Sequence, residues 1–206
     1  MTGLARDRAS LVARGLRLEY LTVGWNLLEG LVAVAAALAA GSVALLGFGI
    51  DSFVETGSGL IIVWRLRAEQ GASDQRRTEA VERRAHRVDA ASLVGLAAYI
   101  VADAVSTLIA GERPTASPVG VLLAALSLGV MWFLARAKRR TAIALGSRAM
   151  AADAFQTTAC WWLSLAVLAG VGLNTAFGLW WADPFAALLI PVFLLREASE
   201  AWVGDD

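Results

Sequence analysis

Six apolar runs dominate the chain, each bounded by turn-forming or basic residues. They cover about residues 18–39, 42–64, 88–110, 118–135, 145–173 and 180–201. Each is long enough to cross a bilayer as a helix, which takes about 18–20 apolar residues at about 1.5 Å of rise per residue. The breaks carry turn chemistry: Gly41-Ser42, Gly111 to Pro114, Ser117-Pro118, and Asp183-Pro184 at a helix start. The pattern predicts an all-α fold, a polytopic membrane bundle of six transmembrane helices. The polar segment 69–87 can extend the third helix or form a solvated linker, and its charge content favours the linker. His86, the only histidine, lies there and is expected to be incidental.

Composition agrees with this reading. The chain of 206 residues is 58% hydrophobic, with a mean hydropathy of +0.61. Soluble domains are only about 45–50% apolar. Formal net charge is zero, so no polyanionic partner is implied and nucleic-acid binding has no support. The placement of charge says more. Of the 18 basic residues, all but Arg113 fall on one side of the predicted helices: in the N-terminal arm, in the 65–87 loop, at Arg136 to Arg148, and at Arg196. The positive-inside rule then puts both termini in the cytoplasm. Trp64 and Trp202 fall at the inner interface, and Trp180 and Trp181 at the outer one. The expected organisation is a basic cytoplasmic arm over residues 1–17 and a six-helix membrane domain over 18–203, with a cytoplasmic loop at 65–87. The arm lacks the apolar core of a cleavable signal peptide. A single cysteine, Cys160, excludes an intrachain disulfide. Basic residues that are almost all Arg, with abundant Ala, Gly and Val, point to a GC-rich bacterial source and hence to a bacterial inner membrane.

Acidic groups stand in the middle of this apolar chain. Asp51 and Glu55 are four residues apart on the second helix, so they share one face. They lie roughly 14 and 20 Å into a hydrocarbon core about 30 Å thick. On the fifth helix Asp153, Gln156 and Cys160 are spaced i, i+3, i+7 on one face, at roughly 12, 17 and 23 Å from the other side. Asn26 and Glu29 on the first helix reach a similar depth. Carboxylate, amide oxygen and thiolate are ligands for a divalent cation. Each residue also has a structural reading. The acids can be protonated and hydrogen-bonded, Asp153 can pair with a helix end or an arginine, Gln156 can join helices, and Cys160 can be a small buried hydrophobe. Asn26 and Glu29 can be members of a structural network. Asp103 stays unassigned, and Asp183 before Pro184 reads as an N-cap. An enzyme is not expected. The only histidine lies in a loop, which disfavours a Ser–His protease, and the signature of a lipid phosphotransferase is missing.

Three segments carry a resemblance. Gly41-Ser-Val-Ala-Leu-Leu-Gly-Phe-Gly-Ile-Asp-Ser-Phe-Val-Glu55 resembles the second helix of the cation diffusion facilitator family. Ala152-Asp153-Ala-Phe-Gln-Thr-Thr-Ala-Cys160 is similar to its fifth-helix motif, and Trp181-Ala-Asp-Pro-Phe-Ala-Ala-Leu-Leu-Ile190 to the start of its sixth helix. The resemblance implies six transmembrane helices with cytoplasmic termini. It also implies a mid-membrane metal site shared by helices two and five, which assigns Asp51, Glu55, Gln156 and Cys160 as ligands. Asp153, Glu29 and Asn26 would complete the ligand set or relay protons. The implied activity is efflux of a divalent transition metal in exchange for protons, with zinc foremost and cobalt, manganese, iron, nickel or cadmium as alternatives. The metal is substrate, and no permanently bound cofactor is expected.

Several features depart from the family pattern. Zinc exporters usually carry His and Asp where Gln156 and Cys160 stand, and a second Asp where Glu55 stands. Family members typically add a cytoplasmic metal-binding domain after the sixth helix, whereas this sequence stops at Asp206. A transmembrane-domain-only member is therefore expected, acting as a homodimer in the lipid bilayer with a divalent cation and protons as its partners. The rival reading is a non-transporting metal sensor or partner subunit with the same fold.

Overall fold

The apolar runs are helices in the computed structural model, and most extend further than hydropathy alone marks. The structure describes residues 2–70 and 75–203, with side chains over 8–67, 91, 94–147, 150–196 and 199. The helices are α1 (Thr2–Ala40), α2 (Val43–Gln70), α3 (Gln75–Ala110), α4 (Pro118–Leu145), α5 (Arg148–Phe177), α6 (Ala182–Ala187) and α7 (Ile190–Val203). The first four run beyond the predicted spans at their basic ends. Hydropathy reports where lipid stops, not where the helix stops. Arg, Glu, Gln and Ala are good helix formers, and a helix that has already nucleated propagates through them.

Two expectations are corrected. Residues 75–87 are not a linker but the start of α3; the His86 side chain lies outside the described residues. The basic residues from Arg136 to Arg140 are not in a loop, because α4 continues to Leu145. Gly146 ends it in the left-handed conformation at φ 64°, which a Cβ would disfavour, and its N–H bonds back to Ala142 and Ile143. Ser147 then caps α5, its hydroxyl accepting from Met150 N at 3.3 Å.

The predicted sixth helix is broken, with a turn between α6 and α7. Pro191 accounts for the break. It donates no N–H, its ring crowds the carbonyl of Ala187, and it disfavours helical geometry at Ile190.

Among the described residues, four helices are long and apolar enough to cross a membrane: Arg8–Ala40, Val43–Arg67, Pro118–Leu145 and Met150–Phe177. In α3 the apolar length is shorter, Val94–Ala110. α1 packs on α2 and α4 on α5, while α3 lies against α7. α2 also touches α3, α5, α6 and α7, so its inward face is enclosed. Phe48, Leu45, Ile100, Leu163, Val167, Ile190 and Leu194 close the core on one side of the polar residues. A second cluster of Leu66, Leu134, Leu145 and Met150 closes it towards the basic ends. Lipid offers no hydrophobic drive between helices, so close packing has to hold them. Gly49 shows this: a Cβ there would stand 2.8 Å from Val34 Cγ2 and 3.0 Å from Ala33 Cβ. Large apolar residues such as Leu38, Ile109, Ile143 and Phe177 point outward, as a lipid-facing surface requires.

Candidate functional site

Four helices turn a polar stripe inward. On α1 it is Glu19, Thr22, Asn26 and Glu29, all at most 1% exposed. The spacing of three, four and three residues keeps them on one face. α2 contributes Asp51, Ser52, Glu55 and Thr56, and α5 contributes Asp153, Thr157, Cys160 and Ser164. α4 adds Ser127, Lys138 and Thr141. The hydroxyls of Thr22, Ser52, Thr56, Thr141, Thr157 and Ser164 each donate to the carbonyl four residues earlier. Such bonds let a hydroxyl face the interior without being orphaned. The charged groups have no such remedy.

The structure joins the two predicted halves of the site. Cys160 Sγ lies 3.6 Å from Asp51 Oδ2, linking α5 to α2 across 109 residues of sequence. Thr157 Oγ1 is 3.2 Å from Glu55 Oε1. Cys160 and Asn26 are also polar neighbours of Glu55, but its Oε2 is buried without a hydrogen bond. Ser52 Oγ, whose proton goes to the Phe48 carbonyl, lies 3.1 Å from Glu29 Oε2, with Ser127 and Trp25 nearby. Glu29 Oε1 and both amide atoms of Asn26 are buried and unsatisfied. An unmet acceptor in an apolar interior costs on the order of 1–3 kcal/mol. Among the described residues, no three His, Cys, Asp or Glu side chains are already grouped closely enough to hold a metal ion. The ligand candidates form adjoining pairs rather than a closed cage.

Gln156 is half-buried, while the adjacent Thr157 is fully buried against Glu55. Asp153 sits elsewhere in the column, paired with Lys138 at 2.6 Å. Lys138 also meets Glu19 Oε2 at 3.0 Å. All three are buried, Lys138 and Glu19 completely. Sequence reasoning placed Lys138 in a cytoplasmic loop and did not single out Glu19. The signals were present: Lys138 is the one lysine among arginines, and Glu19 is in register with Asn26 and Glu29.

Asp183 is corrected as well. It does not cap its own helix; it lies in the first turn of α6, whose cap residue Trp181 makes no side-chain bond. It accepts from Ser42 Oγ at 2.5 Å and from Ala44 N at 3.4 Å. It therefore caps α2 from across the bundle. Asp103 is half-buried on α3, with Tyr99 as its neighbour.

A bundle of membrane-length helices around a buried polar column defines a multi-pass membrane protein of the transport class. Residues 20–202 match the family model of the cation efflux transmembrane domain. The chain belongs to the cation efflux family and is a cation efflux transporter. Among curated proteins nothing matches it.

Proposed function

We propose that this protein exports a divalent transition-metal cation in exchange for protons, holding it between Asp51, Glu55 and Cys160. The observation that carries this reading is the 3.6 Å approach of Cys160 Sγ to Asp51 Oδ2. A hydrogen bond between a thiol and a carboxyl group needs a proton on one of them. A metal needs both deprotonated, so metal and protons compete for the same atoms. Glu55 Oε2, buried and without a hydrogen bond, supplies a third ligand atom. Gln156, one helical turn before Cys160, adds a neutral oxygen when α5 rotates. Asn26 and Glu29 complete the set from α1. Loading from the cytoplasm and protonation from outside would drive outward release across a bacterial inner membrane, with both termini cytoplasmic. The thiolate favours softer ions such as zinc, cobalt or cadmium, while the carboxylates and amide favour harder ones such as manganese. Zinc is the leading substrate.

The test is purified protein in proteoliposomes, read by metal flux and proton counterflow for zinc, cobalt, manganese, iron, nickel and cadmium. Asp51→Asn is expected to abolish flux of every ion, and Cys160→Ala to change the ranking. Equal transport by Asp51→Asn and wild type would sink the site assignment. Folded wild-type protein that binds metal but moves none would favour a sensor or partner subunit instead.

A further inference from the structure

Glu19, Lys138 and Asp153 join α1, α4 and α5 at the basic end of the bundle. Glu19 is two residues past Arg17, Lys138 precedes Arg139, and Asp153 is five residues past Arg148. Asp153 is seven residues before Cys160, about 10 Å nearer that end along α5. A cation moving between the basic face and the Asp51–Cys160 contact therefore meets the triad first.

Its bonding is incomplete. Lys138 Nζ reaches Asp153 Oδ2 at 2.6 Å and Glu19 Oε2 at 3.0 Å. The other oxygens, Asp153 Oδ1 and Glu19 Oε1, are buried with no hydrogen-bond partner, and the two carboxyl groups are neighbours. When all three groups are ionised, two carboxylates face one ammonium and a negative charge is left over. A divalent cation would match both. Lysine is also the residue able to leave, since its flexible four-carbon stem can carry the ammonium to the interface while staying in apolar surroundings.

We infer that Lys138 is a tethered cation that closes the basic-face approach to the Asp51–Cys160 site by occupying Glu19 and Asp153, the carboxylates an arriving divalent cation would otherwise take. The triad pins three helices while it is made. Withdrawal of the ammonium frees a two-carboxylate vestibule and lets α1, α4 and α5 separate at that end. This rests on Asp51, Glu55 and Cys160 being the transport site.

Cys160 is the only thiol in the chain, so the native protein reports on its own access. A membrane-impermeant cationic methanethiosulfonate is added to either face of oriented membrane vesicles, and loss of free thiol is timed. Lys138→Gln should speed labelling from the basic face by about tenfold or more, as a shift toward an open state requires, without changing the rate from the other face. Lys138→Arg should stay near wild type. Equilibrium dialysis with zinc alone should find one more ion bound per chain in Lys138→Gln than in wild type, lost again in Glu19→Gln/Lys138→Gln. Wild-type labelling from the basic face, an equal rise from both faces, or no added zinc would each overturn the inference. If Lys138→Gln does not fold, Glu19→Gln keeps the balanced Lys138–Asp153 pair and removes the tie to α1. It should label a few-fold faster, and a wild-type rate there overturns the inference too. Labelling reads access whether or not metal moves, so vesicles that open but never transport would fault the site and spare the gate.

Discussion

Around Lys138, two carboxylates face a tethered ammonium at 2.6 and 3.0 Å. Further along the same column, Asp51, Glu55 and Glu29 meet a thiol, hydroxyls and an amide. Both regions are buried in an apolar bundle, where uncompensated charge is expensive. In the first an ammonium bonds directly to the acids; in the second Lys138 acts on Glu55 only through its charge. A resident cation suits a position that must hold helices together. Acids bonded to hydroxyls and a thiol suit a position that must take up and give back a mobile charge.

The widest gap between the two regions is expected in stability. Lys138→Met leaves Glu19 and Asp153 buried without their cation and should cost about 3–5 kcal/mol. Unfolding in detergent micelles measures it, and a loss below about 1 kcal/mol, the value of an exposed pair, would break the contrast. Asp51→Asn should act the other way round. Its zinc affinity should fall about a hundredfold, read by competition with a fluorescent chelator, with stability unchanged or improved because a costly acid is gone. Cys160→Ser sharpens the ligand side: the preference for cadmium or zinc over manganese should drop about tenfold as soft sulfur becomes hard oxygen. The smallest effect lies outside both regions. Ser42→Ala removes a cap partner of Asp183 at the start of α2 and should cost about 1 kcal/mol. Its zinc affinity should match wild type, and a marked fall would mean that the cap positions Asp51 more tightly than the two clusters suggest.

Much of the fold was legible because hydrocarbon constrains sequence severely. Apolar length marks the helices, and turn residues such as Gly41-Ser42 and Ser117-Pro118 mark their outer ends. The basic ends were less legible, since charge ends a span without ending a helix; α4 runs on from residue 135 to Leu145 for this reason. The break before Pro191 is hidden in a continuous apolar run. At the site, the spacing of Asp51 and Glu55 was enough to place them on one inward face, and the motif around Cys160 named its helix. Thr157 is not legible as a site residue, because a hydroxyl in a membrane helix usually bonds its own backbone, as Thr157 also does.

Sequence alone determined most of the helices, their order and that Asp51, Glu55 and Asp153 are carried into the membrane, because period and hydropathy are properties of one helix at a time. Which of those side chains meet was decided only by tertiary structure. The rotation of α4 against α1 and α5 sends Lys138 into the core, where Glu19 and Asp153 are 119 and 15 residues away in sequence. The register of α5 on α2 sets Thr157 on Glu55 and Cys160 on Asp51. Those rotations come from packing many small and apolar residues at once, such as Gly49 against Ala33 and Val34, and no local stretch of sequence contains that sum.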